Sequence, residues 1–206
     1  MFEGNFREGS KRDLYNLYDT SKEESDDIIH DKRLIKKVLL SDYDIIKLLH
    51  NTDLEKQIEN DEADITDYIY KNIFPFLYLP DAQDTVRNFV CFDVDDIGGI
   101  DYNNAEKRKQ ITFWCVSHKD DVKTQYDAER QDLLSYIILS LFNWSTMFGT
   151  TIKKVYNTFK IIDNGWYCRE IKFQSIETNN LVNGMMGNYN TDKKLINSID
   201  EWIKNQ

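Results

Sequence analysis

Three groups of residues have types and spacings that could do chemistry. Glu170-Ile171-Lys172 has the Glu-x-Lys spacing used by metal-dependent nucleases, and strand alternation puts its carboxylate and ammonium on one face. Such a site also needs an acidic residue at the start of the preceding strand; the nearest is Asp163, which falls in a turn. Asp93, Asp95 and Asp96 could share a divalent ion, as carboxylates do in phosphoryl transfer, but no further acidic group is placed beside them. The plainer reading is the polar end of a hairpin strand before Gly98-Gly99. Cys91, Cys115 and His118 form a conceivable zinc set, yet there are only 3 cysteines and no Cys-x-x-Cys. His30 and His50 adjoin helical apolar positions and read as surface or core-edge residues. Serine-nucleophile, P-loop and dinucleotide-fold signatures are absent. The expectation is no catalytic residue, cofactor or metal, and no enzyme.

These residues have to be positioned by a few strands and helices. Asn88–Asp95 and Gln110–Ser117 are short, β-branched and aromatic, and read as a hairpin with a long loop, Ile97 to Lys109, at its tip. Behind them, Leu133, Leu134, Ile137, Ile138, Leu141 and Phe142 lay one apolar stripe along a helix from Glu129 to Asn143. A sheet and a helix with one greasy face each bury one another, and this β-β-α unit is the expected core. A second hairpin pairs Thr158–Ile162 with Trp166–Phe173 around Asp163-Asn164-Gly165, because Asn-Gly between alternating runs is a strong turn signal.

Upstream, Ser25 to Leu40 carries a helical stripe, and Ser41 with Asp44 reads as the capped start of a second helix through Ile45, Leu48 and Leu49. Residues 52–64 are strongly acidic and read as a solvated stretch. A third helix is expected from Glu62 to Phe74, ended by Pro75. A last helix is expected from Asp192 to Lys204, after an Asn/Gly-rich loop. The predicted fold is α+β: a mainly antiparallel four-stranded sheet packed on a central helix, with N-terminal helices and a C-terminal helix. Its expected parts are an arm and helical extension (1–60), a core domain (61–178) and a terminal loop and helix (179–206).

The 206 residues include 27 aromatics, enough to fill a core, and carry a net charge of −10 (4 Trp, 12 Tyr, 11 Phe). Phosphate affinity comes from Lys and Arg, so so acidic a chain is a poor general binder of nucleic acid. The 3 cysteines all fall inside apolar strand patterns and read as buried thiols of a reducing compartment. No apolar run is long enough to span a membrane, and the first residues lack the apolar run of a signal peptide.

The element order also carries a resemblance. A helix ends in Phe74-Pro75-Phe76-Leu77-Tyr78-Leu79-Pro80; a strand ending in Asp93, Asp95 and Asp96 follows; a second ends in Ser117-His118-Lys119-Asp120-Asp121; then come a charged helix start, Asp127 to Asp132, and a last hairpin. From Ile65 to Glu177 this resembles the tail terminator, or tail-completion, proteins and neck ring proteins of long-tailed bacteriophages. The resemblance implies a structural virion protein: a homo-oligomeric ring, commonly a hexamer, that caps the tail tube and joins it to neck and connector proteins. DNA is then a transient passenger in the lumen, and the protein is assembled in the host cytoplasm. Negative charge suits such a lumen, since it lets the phosphate backbone slide. A head-tail adaptor and the Glu-x-Lys nuclease are the alternatives. Assembly contacts are expected at Leu14, Tyr15, Leu17 and Tyr18 of the N-terminal arm and at Asp101, Glu106, Lys107, Arg108 and Lys109 of the hairpin loop.

Overall fold

The structure is a computed structural model that describes residues 28–78, 88–100, 103–163 and 165–178. The chain runs α1 (Ile28–Ser41), α2 (Tyr43–Leu49), α3 (Thr52–Glu59), a short 3-10 helix (Ile65–Tyr68), β1 (Ile73–Phe74), β2 (Asn88–Ile100), β3 (Asn103–His118), α4 (Arg130–Phe142), β4 (Lys153–Asp163) and β5 (Trp166–Thr178). The fold is α+β. Its sheet is five-stranded and mixed, in the order β1-β2-β3-β5-β4, rather than four-stranded. β1 lies parallel to β2, with Ile73 opposite Val90 and Phe74 opposite Cys91. β4 and β5 are antiparallel. Only residues 101 and 102 separate β2 from β3, a link too short for a parallel crossover.

Alternation along the strands sorts the core onto two faces. Val90, Phe92, Val94, Ile111, Phe113, Ile171 and Phe173 face one way and join Leu134, Ile138 and Phe142 of α4, Ile35 and Leu39 of α1, and Ile45 and Leu49 of α2 in one cluster. Phe113 sits at its centre, 4.9 Å ring to ring from Phe142 and 5.9 Å from Phe92 and Phe173. The other face holds a smaller cluster of Phe74, Phe89, Cys91, Val116 and Cys168, with Tyr78, Trp114, Ile162 and Trp166 packed on it. The helix expected at Glu129–Asn143 and the hairpin around Asn164-Gly165 are both present, with Gly165 at φ +136°, a region L side chains avoid.

Four local expectations need correction. The cap of α2 is Asp42, whose carboxylate accepts the amides of Asp44 and Ile45; Ser41 ends α1 and donates its hydroxyl to the Val38 carbonyl. The acidic stretch 52–64 is not all solvated coil: Asn51 caps α3 by accepting the Leu54 amide, and Leu54 is buried.

No helix runs from Glu62 to Phe74. Asp64 and Asp67 form a capping box on a 3-10 turn that ends at Tyr68, and Tyr70 takes φ +64°. Asn72 then ties the chain to β2 by donating its side-chain amide to the Asn88 carbonyl and accepting the Val90 amide. Ile73 and Phe74 are buried in clusters on opposite faces of the sheet, which suits neighbours in a strand. Finally, the long loop expected from Ile97 to Lys109 is strand: β2 continues to Ile100 and β3 begins at Asn103. Alternation there is weak, so the polar composition concealed the pairing.

The described residues divide into two compact units. Those up to Asp95 and from Gln110 to Ser175 form the first, and Asp96–Lys109 with the strand end from Ile176 belong to the second. The expected N-terminal arm, the terminal loop and the helix at Asp192–Lys204 lie outside the described residues.

Candidate functional site

The residues that invited a chemical reading come out individually satisfied. Glu170 and Lys172 share a strand face, as alternation required, and their charged atoms are 3.5 Å apart. A second ammonium, Lys160 from β4, binds the other oxygen of Glu170. The hydrogen bond it donates to Glu170 holds the Lys160 ammonium above its ordinary value. Glu170 is 4% exposed, and its companions are cations. A carboxylate between two ammoniums is neutralised by the chain itself, whereas a nuclease metal needs clustered acids. Asp163 stands at the end of β4, opposite Trp166.

Asp93 pairs with Lys32 of α1, while Asp95 is exposed. Cys91 and Cys115 belong to clusters on opposite faces of the sheet, so they do not converge on one ion. Burial pushes the thiols of Cys91 and Cys168 up to about 12 and that of Cys115 well above its usual value, so all three are protonated, inert core residues. His118 stands edge-on to Trp166, ring centroids 4.9 Å apart. Among the described residues, no group of three or more His, Cys, Asp or Glu side chains is placed to hold a metal.

A polar centre that local pattern did not reveal lies between α2, β2 and the N-terminus of α4. Asp121 accepts from His50 at 2.8 Å, from Asn88, and from Arg130 at 3.1 Å. Arg130 is 7% exposed; its Nε donates to the Asp121 carbonyl and its Nη1 to that of Leu48. Asn88 also donates to the Leu49 carbonyl, so the centre closes the end of α2. Burial pushes the Asp121 carboxyl up, but the bonds from His50 and Asn88 and the charge of Arg130 outweigh it and hold the group below its ordinary value. A cleft of about 580 Å³ opens beside this centre, lined by Lys47, His50, Lys123, Tyr126, Arg130 and Tyr136 among others. Each nitrogen of Arg130 and Nδ1 of His50 bond to neighbouring elements, so the centre holds α2, the loop after β3 and α4 together.

What remains open is the edge of the sheet. β4 is the outermost strand, and Val155, Tyr156, Phe159 and Ile161 on it are 52%, 36%, 42% and 65% exposed. Phe159 stacks on Tyr167 at 6.0 Å, with the Arg169 guanidinium 5.9 Å from its ring. Arg169 is held in turn by Asp132 of α4, at 2.7 Å, which pre-orders this apolar surface. Asn143 anchors the start of β4 by accepting the Lys154 amide. The sequence reads Phe159 and Ile161 as strand but not Val155 and Tyr156, and periodicity does not distinguish an edge strand from a central one; the signal for an edge was the three lysines, Lys153, Lys154 and Lys160. Of the expected assembly contacts, Glu106, Lys107, Arg108 and Lys109 lie on β3, Arg108 exposed and Lys109 buried. Asp101, Leu14, Tyr15, Leu17 and Tyr18 fall outside the described residues.

The fold is an α+β domain with a five-stranded mixed sheet and exposed apolar side chains on its β4 edge. Residues 42–175, well over half of the chain, match the family model YomW, and the chain belongs to the YomW family. The family name comes from an SPBeta-like prophage and points to phage origin. No curated protein matches the chain. Among the described residues, no helix is long and apolar enough to cross a membrane.

Proposed function

We propose that the chain is a structural subunit of a phage particle, of the tail-terminator or neck-ring kind, that joins tail tube to head. The observation that carries this is the β4 edge: an 11-residue outer strand with four exposed large apolar side chains and a stacked Phe159–Tyr167 pair. Long apolar edges are hazards for a protein that works alone and natural docking sites for one that assembles. The phage-derived family supports the phage origin in this reading. The net charge of −10 suits a lumen through which DNA slides. In this account the protein is not an enzyme and needs no cofactor, its partners are its own copies and the neighbouring tail and neck proteins, and its place is the virion.

The test is the composition of purified particles. Quantitative mass spectrometry of gradient-purified phage is expected to find the chain at a fixed, low copy number per particle. Its absence from particles, with abundance in the infected cell, would overturn the reading. The nuclease alternative predicts magnesium- or manganese-dependent cleavage of plasmid DNA by the purified protein.

A further inference from the structure

The partner of the β4 edge can be named from a second patch on the same compact unit. At the opposite edge of the sheet, beside β1, Tyr70, Phe76 and Leu77 are 61%, 43% and 51% exposed. Tyr70 stacks on Phe76 at 6.2 Å, and Phe76 stands edge-on to the buried ring of Phe74 at 5.8 Å. This apolar surface is therefore pre-ordered, like the one on β4. The order β1-β2-β3-β5-β4 puts four inter-strand steps between the two edges, roughly 19 Å at the usual strand spacing.

The charges flanking the two patches are opposite. The β4 edge, Lys153–Asp163, contains Lys153, Lys154 and Lys160 against a single acid, Asp163. Residues 59–71, which lead into β1, contain Glu59, Asp61, Glu62, Asp64 and Asp67 against a single base, Lys71. Lys160 is already paired with Glu170, and Lys153 stands over the Trp144 ring, 4.6 Å from its centroid, so Lys154 and the exposed part of Lys153 are the cations left to reach outward. Lys36 and Lys37 border the groove at Ile65, and Lys32 donates to the Pro75 carbonyl next to Phe76 while paired with Asp93, so the acids left to face a lysine are those of the 59–67 stretch.

We infer that the β4 edge of one copy docks on the β1-side patch of a second copy, Val155, Phe159 and Ile161 meeting Tyr70, Phe76 and Leu77, with lysines facing acids. This rests on the reading of β4 as an assembly edge. Because the two patches differ, the contact is heterologous: an open series keeps one unused patch of each kind, at its two ends, and closing them on each other gives a ring. A β4-to-β4 contact would instead join two edges that each carry three lysines and one acid, and would end at a dimer.

The experiment is light scattering on the full chain, with Ile161→Asp and Leu77→Asp as variants. Both residues are at least half exposed, and circular dichroism confirms that each variant folds. The wild type is expected to assemble beyond a dimer, each variant alone to be a monomer, and an equimolar mixture to form a one-to-one pair and nothing larger, since one intact contact remains. If Leu77→Asp assembles like the wild type while Ile161→Asp does not, the head-to-tail inference fails and β4 still stands as an assembly edge. If both variants assemble like the wild type, or the wild type is a monomer, both readings of β4 fail.

Discussion

Arg130, the first residue of α4, meets the carboxylate of Asp121 at 3.1 Å and donates through Nη1 to the Leu48 carbonyl at 3.1 Å. One side chain thus joins the start of the core helix, the loop after β3 and the end of α2. Arg130→Met keeps the side chain's length but leaves Asp121 with only His50 and Asn88. The expected loss is about 3 kcal/mol in urea denaturation, the lower end for breaking a buried pair because two partners remain. A loss within error of zero contradicts this role.

Asp121 also sets a pH dependence. Its carboxyl is held below its ordinary value in the folded state. The stabilisation is therefore complete above the unfolded carboxylate pKa of about 3.9 and is lost as pH falls through the lower folded value. Asp121→Asn removes the titration, so its stability should change less than the wild type's between about pH 4.5 and the acid limit. Equal slopes for the two proteins across that window would exclude Asp121 as a contributor.

Leu134 and Ile138, both fully buried on α4, fill the space under Phe92 and Phe113. Either one changed to Ala is expected to destabilise the fold by about 2–5 kcal/mol, the range for truncating a buried aliphatic residue. A change below about 0.5 kcal/mol would place them outside the core.

Glu170 separates the structural account from the nuclease. With Lys160 and Lys172 bound to it, Glu170→Ala leaves two ammoniums without their carboxylate. The expected outcome is a modest loss of stability and no effect on DNA, since the wild type should not cleave plasmid with magnesium or manganese. Metal-dependent cleavage that disappears in Glu170→Ala would favour the nuclease.

The elements legible in the sequence are those whose signal is local. The stripe Leu133 to Phe142 fixes α4 because every buried residue of that face lies within two turns of the next. Asn164-Gly165 fixes the β4-β5 hairpin through a backbone conformation that glycine permits. β1 was not legible because two residues are too few for a period, and their strand state is imposed by Asn72 and by β2. The Asp121 centre was hidden for the same reason: His50 and Asn88 lie 71 and 33 residues from it along the chain. The β2-β3 extension was misread as a loop because polar residues there replace the alternation that marks a half-buried strand. The openness of β4 depends on what stands beside it, which is a property of the whole sheet.

Negative-stain electron microscopy of the purified full chain tests the central claim most directly. The account predicts closed rings with a central opening for the wild type and dispersed single particles for Ile161→Asp at the same concentration. A field of single particles for the wild type, or rings that persist unchanged in Ile161→Asp, would contradict it.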